Sequence, residues 1–210
     1  MLDYAGRRLL AYAKRTKLPV GEVSDEPRLL PEYINKRRMV KYMKELKLVR
    51  PLLEHKPLYE EMMDEWESYG GRINPGAIRR YSNVQQKNVT FERWFQWVKE
   101  DRETVQDLFF LMNNERILGA ISIRYHCSGI HGHAGYGIRP SERKKGYASK
   151  MLAMALPIMR SYGINPAVLS CAKTNIGSAK TIVKNGGRLM EEVMEEETGE
   201  TIQIYHLYDF

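Results

Sequence analysis

Cysteine is nearly absent: Cys127 and Cys171 are the only two in 210 residues. Two thiols build no disulfide framework, and that scarcity fits a reducing cytoplasm. Long apolar runs are missing as well. No stretch approaches the roughly 18 residues a membrane span requires, so no membrane association is expected. The first twenty residues carry Arg7, Arg8, Lys14, Arg15 and Lys17 with no apolar block between them, which argues against a secretory signal. The familiar phosphate-binding motifs are lacking. There is no Gly-x-x-x-x-Gly-Lys-Ser/Thr loop. Gly135 and Gly137 stand two apart inside a strand-like run, but Gly-x-Gly-x-x-Gly is not completed. No internal repeat occurs, and the only biased tract is the acidic "EEVMEEE".

What the chain does have is an excess of positive charge, 33 Lys and Arg against 26 Asp and Glu. That balance is compatible with nucleic acid, anionic lipid or a phosphorylated cofactor. Aromatic residues, 10% of the chain, do not gather in a basic stripe, and no nucleic-acid-binding motif is present, so nucleic acid is not expected as a partner. Residues 1–45 hold eleven Lys and Arg against six Asp and Glu. Two amphipathic basic stretches there, "YAGRRLLAYAKRTK" and "INKRRMVKYMKEL", flank a segment with three prolines. They read as a basic helical extension, with solvated faces rather than a DNA-binding arm.

From residue 46 onward the pattern alternates. "LKLVRP" reads as a short strand. "EHKPLYEEMMDEWESYG" reads as a helix that Gly70 and Gly71 stop. Thr90 can cap a second helix, "FERWFQWVKEDR". Trp66, Trp94 and Trp97 are expected to pack these two helices. "DLFFLMNNERILGAISIRYH" is a hairpin turning at "NNER". Residues 130–139 give another strand and 146–162 a helix, with a kink expected at Pro157. "PAVLSCA" is a buried strand, "NIGSAKTIVKNGG" a helix with a glycine stop, and "RLMEEVMEEETGETIQIYHLYDF" a final hairpin. The order β-αα-βββ-α-β-α-ββ predicts an α/β fold with a mixed central sheet flanked by helices.

In the middle of this order stands "YGIRPSERKKGYASKM". Tyr136, Gly137, Ile138 and Arg139 end a strand, and Pro140 breaks the ladder. The N–H groups that follow lie at a helix start, where four have no helical partner and the dipole makes them positive. Gly146 permits close approach, Ala148 keeps the next turn small, and Arg143, Lys144 and Lys145 add full charges. This is a competent cradle for a diphosphate.

"RKKGYA" resembles the Arg/Gln-x-x-Gly-x-Gly/Ala signature of the GNAT superfamily, the acyl-CoA-dependent N-acetyltransferases. The context "ILGAISIRYH…GHAGYGIRPSERKKGYASKML…NGG" is similar to a bacterial branch of predicted acetyltransferases, over residues 46–210. The resemblance implies a GNAT fold and acetyl-CoA as co-substrate, with no metal. It implies an acetyl group transferred by direct attack of a primary amine, borne by a small molecule or a peptide. The diphosphate is then expected on Arg143, Lys144, Lys145, Gly146, Tyr147 and Ala148. Pantetheine is expected along Tyr136, Gly137, Ile138 and Arg139, in a gap where this strand splays from 167–171. Asn175 and Ser178 are expected on the cofactor's far side. A homodimer is compatible with this reading.

The sequence departs from the family where many members carry a tyrosine that protonates the leaving thiolate. Seven places after Asn175 stands Ile182, which cannot donate, and Tyr205 is the substitute considered. That departure keeps a second reading open, a non-catalytic acyl-CoA-binding regulatory module. For the base, His133 has a suitable ordinary pKa and shares a strand face with Gly135 and Gly137, which are expected to leave it room. Glu142 is the weaker choice. The run "HCSGIHGH" raises zinc, with His126, Cys127, His131 and His133 within eight residues, but its spacing matches no common finger.

Overall fold

The computed structural model describes residues 45–79, 89–114, 116–127, 130–208 and 210. The chain divides into two units, Met1–Met39 and Val40–Phe210, and every described residue belongs to the second. The expected basic helices of residues 1–44 lie outside the described residues.

The elements follow the expected order. Strand β1 (Lys47–Val49) and a short turn lead into helix α1 (Lys56–Tyr69), and helix α2 (Phe91–Thr104) follows. Then come β2 (Gln106–Met112), β3 (Ile117–Arg124), β4 (Ala134–Ile138) and helix α3 (Tyr147–Ser161). The chain closes with β5 (Ala167–Ala172), helix α4 (Ile176–Lys184), β6 (Arg188–Glu195) and β7 (Glu200–Leu207). The central sheet is in two parts, a four-stranded β1-β2-β3-β4 and a three-stranded β5-β7-β6, and every recorded pairing is antiparallel.

Strand β2 shows why its sequence is apolar without alternation. Phe109 and Leu111 point into a core built with Met151, Leu152 and Met159 of α3 and Ile182 of α4. Leu108 and Phe110 point the other way, into a core with Tyr59, Met62, Met63 and Trp66 of α1 and Phe91 and Trp94 of α2. Both faces are covered, so both parities are hydrophobic. On α1, residues 59, 62, 63 and 66 fall on one stripe at helical spacing. Gly70, at φ 79°, ends that helix with its N–H on the carbonyls of Trp66 and Glu67. Thr90 caps α2 as expected, its hydroxyl oxygen accepting the N–H of Arg93 at 3.3 Å. Trp97 is half-buried beneath the Arg93 guanidinium. Helix α3 continues through Pro157 to Ser161.

The second core also fixes the segment that follows α1. Trp94 stacks on Tyr59 with ring centroids 4.3 Å apart. Its indole N–H donates to the carbonyl of Ala77 at 2.8 Å, and the Tyr59 hydroxyl donates to Ile78 at 2.8 Å. Trp94→Ala removes the ring, the stacking and one of these bonds. It should lower unfolding stability by about 3–5 kcal/mol, read from chemical denaturation.

Candidate active site

Strands β4 and β5 meet at one end only. The N–H of His133 donates to the carbonyl of Val168 at 2.6 Å, and the N–H of Val168 donates back to His133 Nδ1 at 3.0 Å. Beside them the N–H of Gly132 donates to Ser170 Oγ at 3.3 Å. Beyond this latch no ladder joins β4 to β5 among the described residues. The edge of β4 that faces β5 is therefore open.

Backbone alternation tells which groups stand on that edge. Arg124 N–H bonds the carbonyl of His133, and Arg139 N–H bonds that of Leu118, so the odd-numbered residues of β4 face β3. By the antiparallel alternation, the N–H groups of Tyr136 and Ile138 point into the gap. Gly137 does not face it. Its role is steric, because a Cβ there would collide with the backbone carbonyl of Asn74 and press on Trp66.

After β4 a short turn, Pro140–Glu142, leads to Arg143. Lys144 (φ 62°) and Gly146 (φ 79°) are both left-handed, which rotates successive peptide units in a way that favours converging N–H groups. The first recorded bond of α3 runs from Lys150 N–H to Gly146, so the N–H groups of Tyr147, Ala148 and Ser149 have no helical acceptor. A Cβ placed on Gly146 would meet nothing within 4 Å. Open space in front of unpaired donors at a helix start fits a diphosphate.

The cations of the turn are arranged differently from the sequence expectation. Arg143 Nε donates to the carbonyl of Ile138 at 3.1 Å, and its guanidinium lies 4.8 Å from the Tyr69 ring centroid. Lys145 pairs with Glu142 at 3.0 Å. Arg139, expected on the cofactor, is instead 1% exposed. Its Nη2 reaches Glu61 at 3.0 Å, its Nε donates to Glu65 at 2.6 Å, and its Nη1 donates to Ile117 at 3.1 Å. Its own carbonyl accepts the N–H of Glu142 at 3.0 Å. Neither its side chain nor its backbone is left for a ligand. Arg143 and Lys145 are thus held within the protein rather than standing as free cations at the turn.

Glu61, Glu65 and Arg116 were missed in the sequence, although 61 and 65 share a helix face with 62 and 66. Arg116 bridges Glu61, Glu65 and Glu142 at 3.0, 3.1 and 3.3 Å. Burial raises the Glu65 pKa, but the Ser141 N–H and the Arg139 guanidinium outweigh it and hold the carboxyl below its ordinary value.

His133 does not have the setting that a base requires. Its Nδ1 lone pair is taken by Val168 N–H, which places the ring proton on Nε2, and burial lowers its pKa. The room expected beside the two glycines is filled, since Asn74 covers Gly137 and Pro75 lies against Gly135. Across the gap Asn175 caps α4, its Oδ1 accepting the N–H of Ser178 at 3.1 Å. The Tyr136 hydroxyl reaches over from β4 to the carbonyl of Ser178 at 3.4 Å. Ile182 is fully buried in the core. Tyr205 is 4% exposed, and its hydroxyl donates to Gln203 Oε1 at 2.7 Å. Burial raises the pKa of Tyr136, Cys171 and Tyr205 alike. Among the described residues no three His, Cys, Asp or Glu side chains gather as a metal site, and no helix is long and apolar enough to cross a membrane.

No curated protein matches the chain at the sequence level. Solved structures do share its fold. The microcin C7 self-immunity acetyltransferase MccE, solved with acetyl-CoA and AMP, superposes with a TM-score of 0.58 at 15% identity, covering 80% of this chain and 95% of that one. The Salmonella typhimurium enzyme that modifies the N-terminal serine of ribosomal protein L7/L12 gives 0.59 at 13% identity, covering 80% and 98%. Mycobacterium smegmatis RimJ, in complex with CoA-disulfide, gives 0.61 at 12% identity, covering 77% and 81%. These identities speak to the fold. The family profile described as "Acetyltransferase (GNAT) domain" goes further, since it matches residues 45–188. With well over half of the chain inside that match, the protein belongs to the GNAT family of acyl-CoA-dependent N-acetyltransferases, whose co-substrate is acetyl-CoA.

Proposed function

We propose that the turn from Arg143 to Ala148 holds the diphosphate of acetyl-CoA, and that the pantetheine arm runs along the open edge of β4 beside Tyr136 and Ile138. The observation that carries this reading is the set of unpaired N–H groups at the start of α3, facing open space at Gly146. When bound, acetyl-CoA supplies an acetyl group activated as a thioester. The chain binds and orients. Edge N–H groups of β4 are fixed donors for the amides of the arm and for the thioester oxygen. Asn175 and Ser178 open α4 on the opposite wall. The acceptor is a primary amine of a small molecule or a peptide: its nitrogen bonds the thioester carbonyl carbon, the C–S bond breaks, and CoA leaves as the thiol with a proton that the amine gives up through solvent. The segment after α1, whose Asn74 already lies over β4, covers that side.

His133 is read here as the latch that closes one end of the gap, and Tyr205 as a packed tyrosine whose proton is held by Gln203. The free thiols Cys127 and Cys171 fit a cytoplasmic location, and a homodimer is compatible with the fold. Turnover of acetyl-CoA against a panel of amines tests the activity and identifies the acceptor class.

Gly146→Glu places an anion where the diphosphate belongs, on a backbone that disfavours side chains. It should weaken CoA binding at least ~100-fold by calorimetry. Unchanged affinity would remove the cradle from the reading.

The latch has its own test. His133→Asn keeps an acceptor for Val168 N–H, so kcat should stay within about threefold of wild type. His133→Ala loses the bond and should cost about 1–2 kcal/mol of stability. The pH dependence follows from the lowered pKa. The unfolded imidazole takes up a proton more readily than the folded one. The stability that His133 contributes is therefore complete above the ordinary value near 6.5 and is lost as pH falls below it, through the folded pKa. His133→Asn should flatten that part of the acid destabilisation. A large fall in kcat for the Asn variant, with loss of the acid limb of the pH–rate profile, would instead make His133 the base.

A further inference from the structure

One carboxylate outside the gap holds the shape of the cradle. Glu65 Oε1 accepts the N–H of Ser141 at 2.7 Å, and its Oε2 accepts Arg139 Nε at 2.6 Å. Arg116 Nη2 donates to the same Oε2 at 3.1 Å. Ser141 lies within the short turn after β4, and Gly146 comes only five residues later. Between them the chain is sparsely supported. Arg143, Lys144, Lys145 and Gly146 are all exposed. The second anchor of this stretch also leads to α1, because the Arg143 guanidinium lies over Tyr69. Helix α1 thus grips the turn at both its entry and its middle, with Glu65 in the more buried position.

We propose that Glu65 is a positioning residue for acyl-CoA, fixing the entry to the turn from Arg143 to Ala148 so that the N–H groups at the start of α3 are already aimed when the diphosphate arrives. The proposal rests on the reading of that turn as the diphosphate cradle. A donor set held before binding avoids the cost of ordering it on binding. Arg139 is the intermediary: buried and ion-paired, it fixes the carboxylate, and the carboxylate fixes Ser141. The effect therefore reaches the ligand only through its diphosphate end.

That selectivity is measurable without knowing the acceptor. In the full chain, Glu65→Gln should raise the Kd for CoA about tenfold by calorimetry. The Kd for pantetheine, which lacks the diphosphate, should stay unchanged in an NMR titration. A general loosening of the fold would weaken both ligands equally, and that result overturns the proposal, as does a CoA Kd within about twofold of wild type. Should Glu65→Gln fail to fold, Glu65→Asp carries the test. It keeps a negative charge against Arg139 and withdraws the carboxylate from Ser141 by one methylene. Gly146→Glu separates the two levels of the argument. If it abolishes the preference for CoA over pantetheine while the Glu65 variants keep it, the cradle stands and Glu65 is not its support. If Gly146→Glu leaves the preference intact, the cradle reading itself fails and the proposal fails with it.

Discussion

The divergence of β4 from β5 is the constraint on which the rest of the site depends. An unpaired strand edge ordinarily invites aggregation, and proteins cover it or blunt it. Here the edge of β4 between the two sheets has no ladder partner among the described residues. Its closure at one end is short: one backbone bond from His133 N–H to Val168 and one from Val168 N–H to the His133 ring, with one from Gly132 to Ser170 Oγ beside them. His133 contributes both its N–H and its ring to that closure. An imidazole in place of a third ladder residue ends the pairing while still satisfying the N–H of Val168. The buried backbone requirement is met, and the strands are free to part beyond it.

The turn beyond β4 uses its charge in a way that a count of cations does not suggest. Three basic residues and an arginine lie within seven positions, yet Arg139, Arg143 and Lys145 all bond within the protein. Charges on flexible side chains steer an anion and are screened by salt. Backbone N–H groups at a helix start are fixed in direction and lose no side-chain freedom when a ligand binds. The protein commits these two arginines to backbone carbonyls, Arg139 to that of Ile117 and Arg143 to that of Ile138.

The order of elements was legible because each carries a local signal. The 59, 62, 63 and 66 stripe, the Thr90 cap and the glycine stop at Gly70 are all read within a few residues. The turn after β4 was legible for the same reason, since Pro140, Gly146 and a helix start are neighbours in sequence. What sequence did not show are partnerships over long separations. The fate of Arg139 is decided by Glu61 and Glu65, more than seventy positions away. The space beside Gly137 is decided by Asn74, and the lone pair of His133 by Val168. Period-two counting placed His133 on the face of the two glycines but could not tell that the face was already covered.

The four-stranded sheet carries a half-buried ion pair at each end, with one buried partner in each, Asp107 at one and Arg139 at the other. At the end where β2 starts, Asp107 is 2% exposed and accepts Arg50 Nη2 at 2.7 Å and the Tyr162 hydroxyl at 2.6 Å. Burial first, and then the Asp107 carboxylate, push the Tyr162 pKa up to about 12, so the hydroxyl remains a donor. That cluster joins β1, β2 and the end of α3 and faces no ligand edge. At the other end Arg139 and Glu65 join α1 to the turn after β4 at Ser141. Buried pairs are poor sources of net stability, because desolvation offsets much of their attraction. What such a pair does supply is direction. At Asp107 the direction closes a core, and at Arg139 it passes through Glu65 to the N–H of Ser141, where the chain turns out of β4.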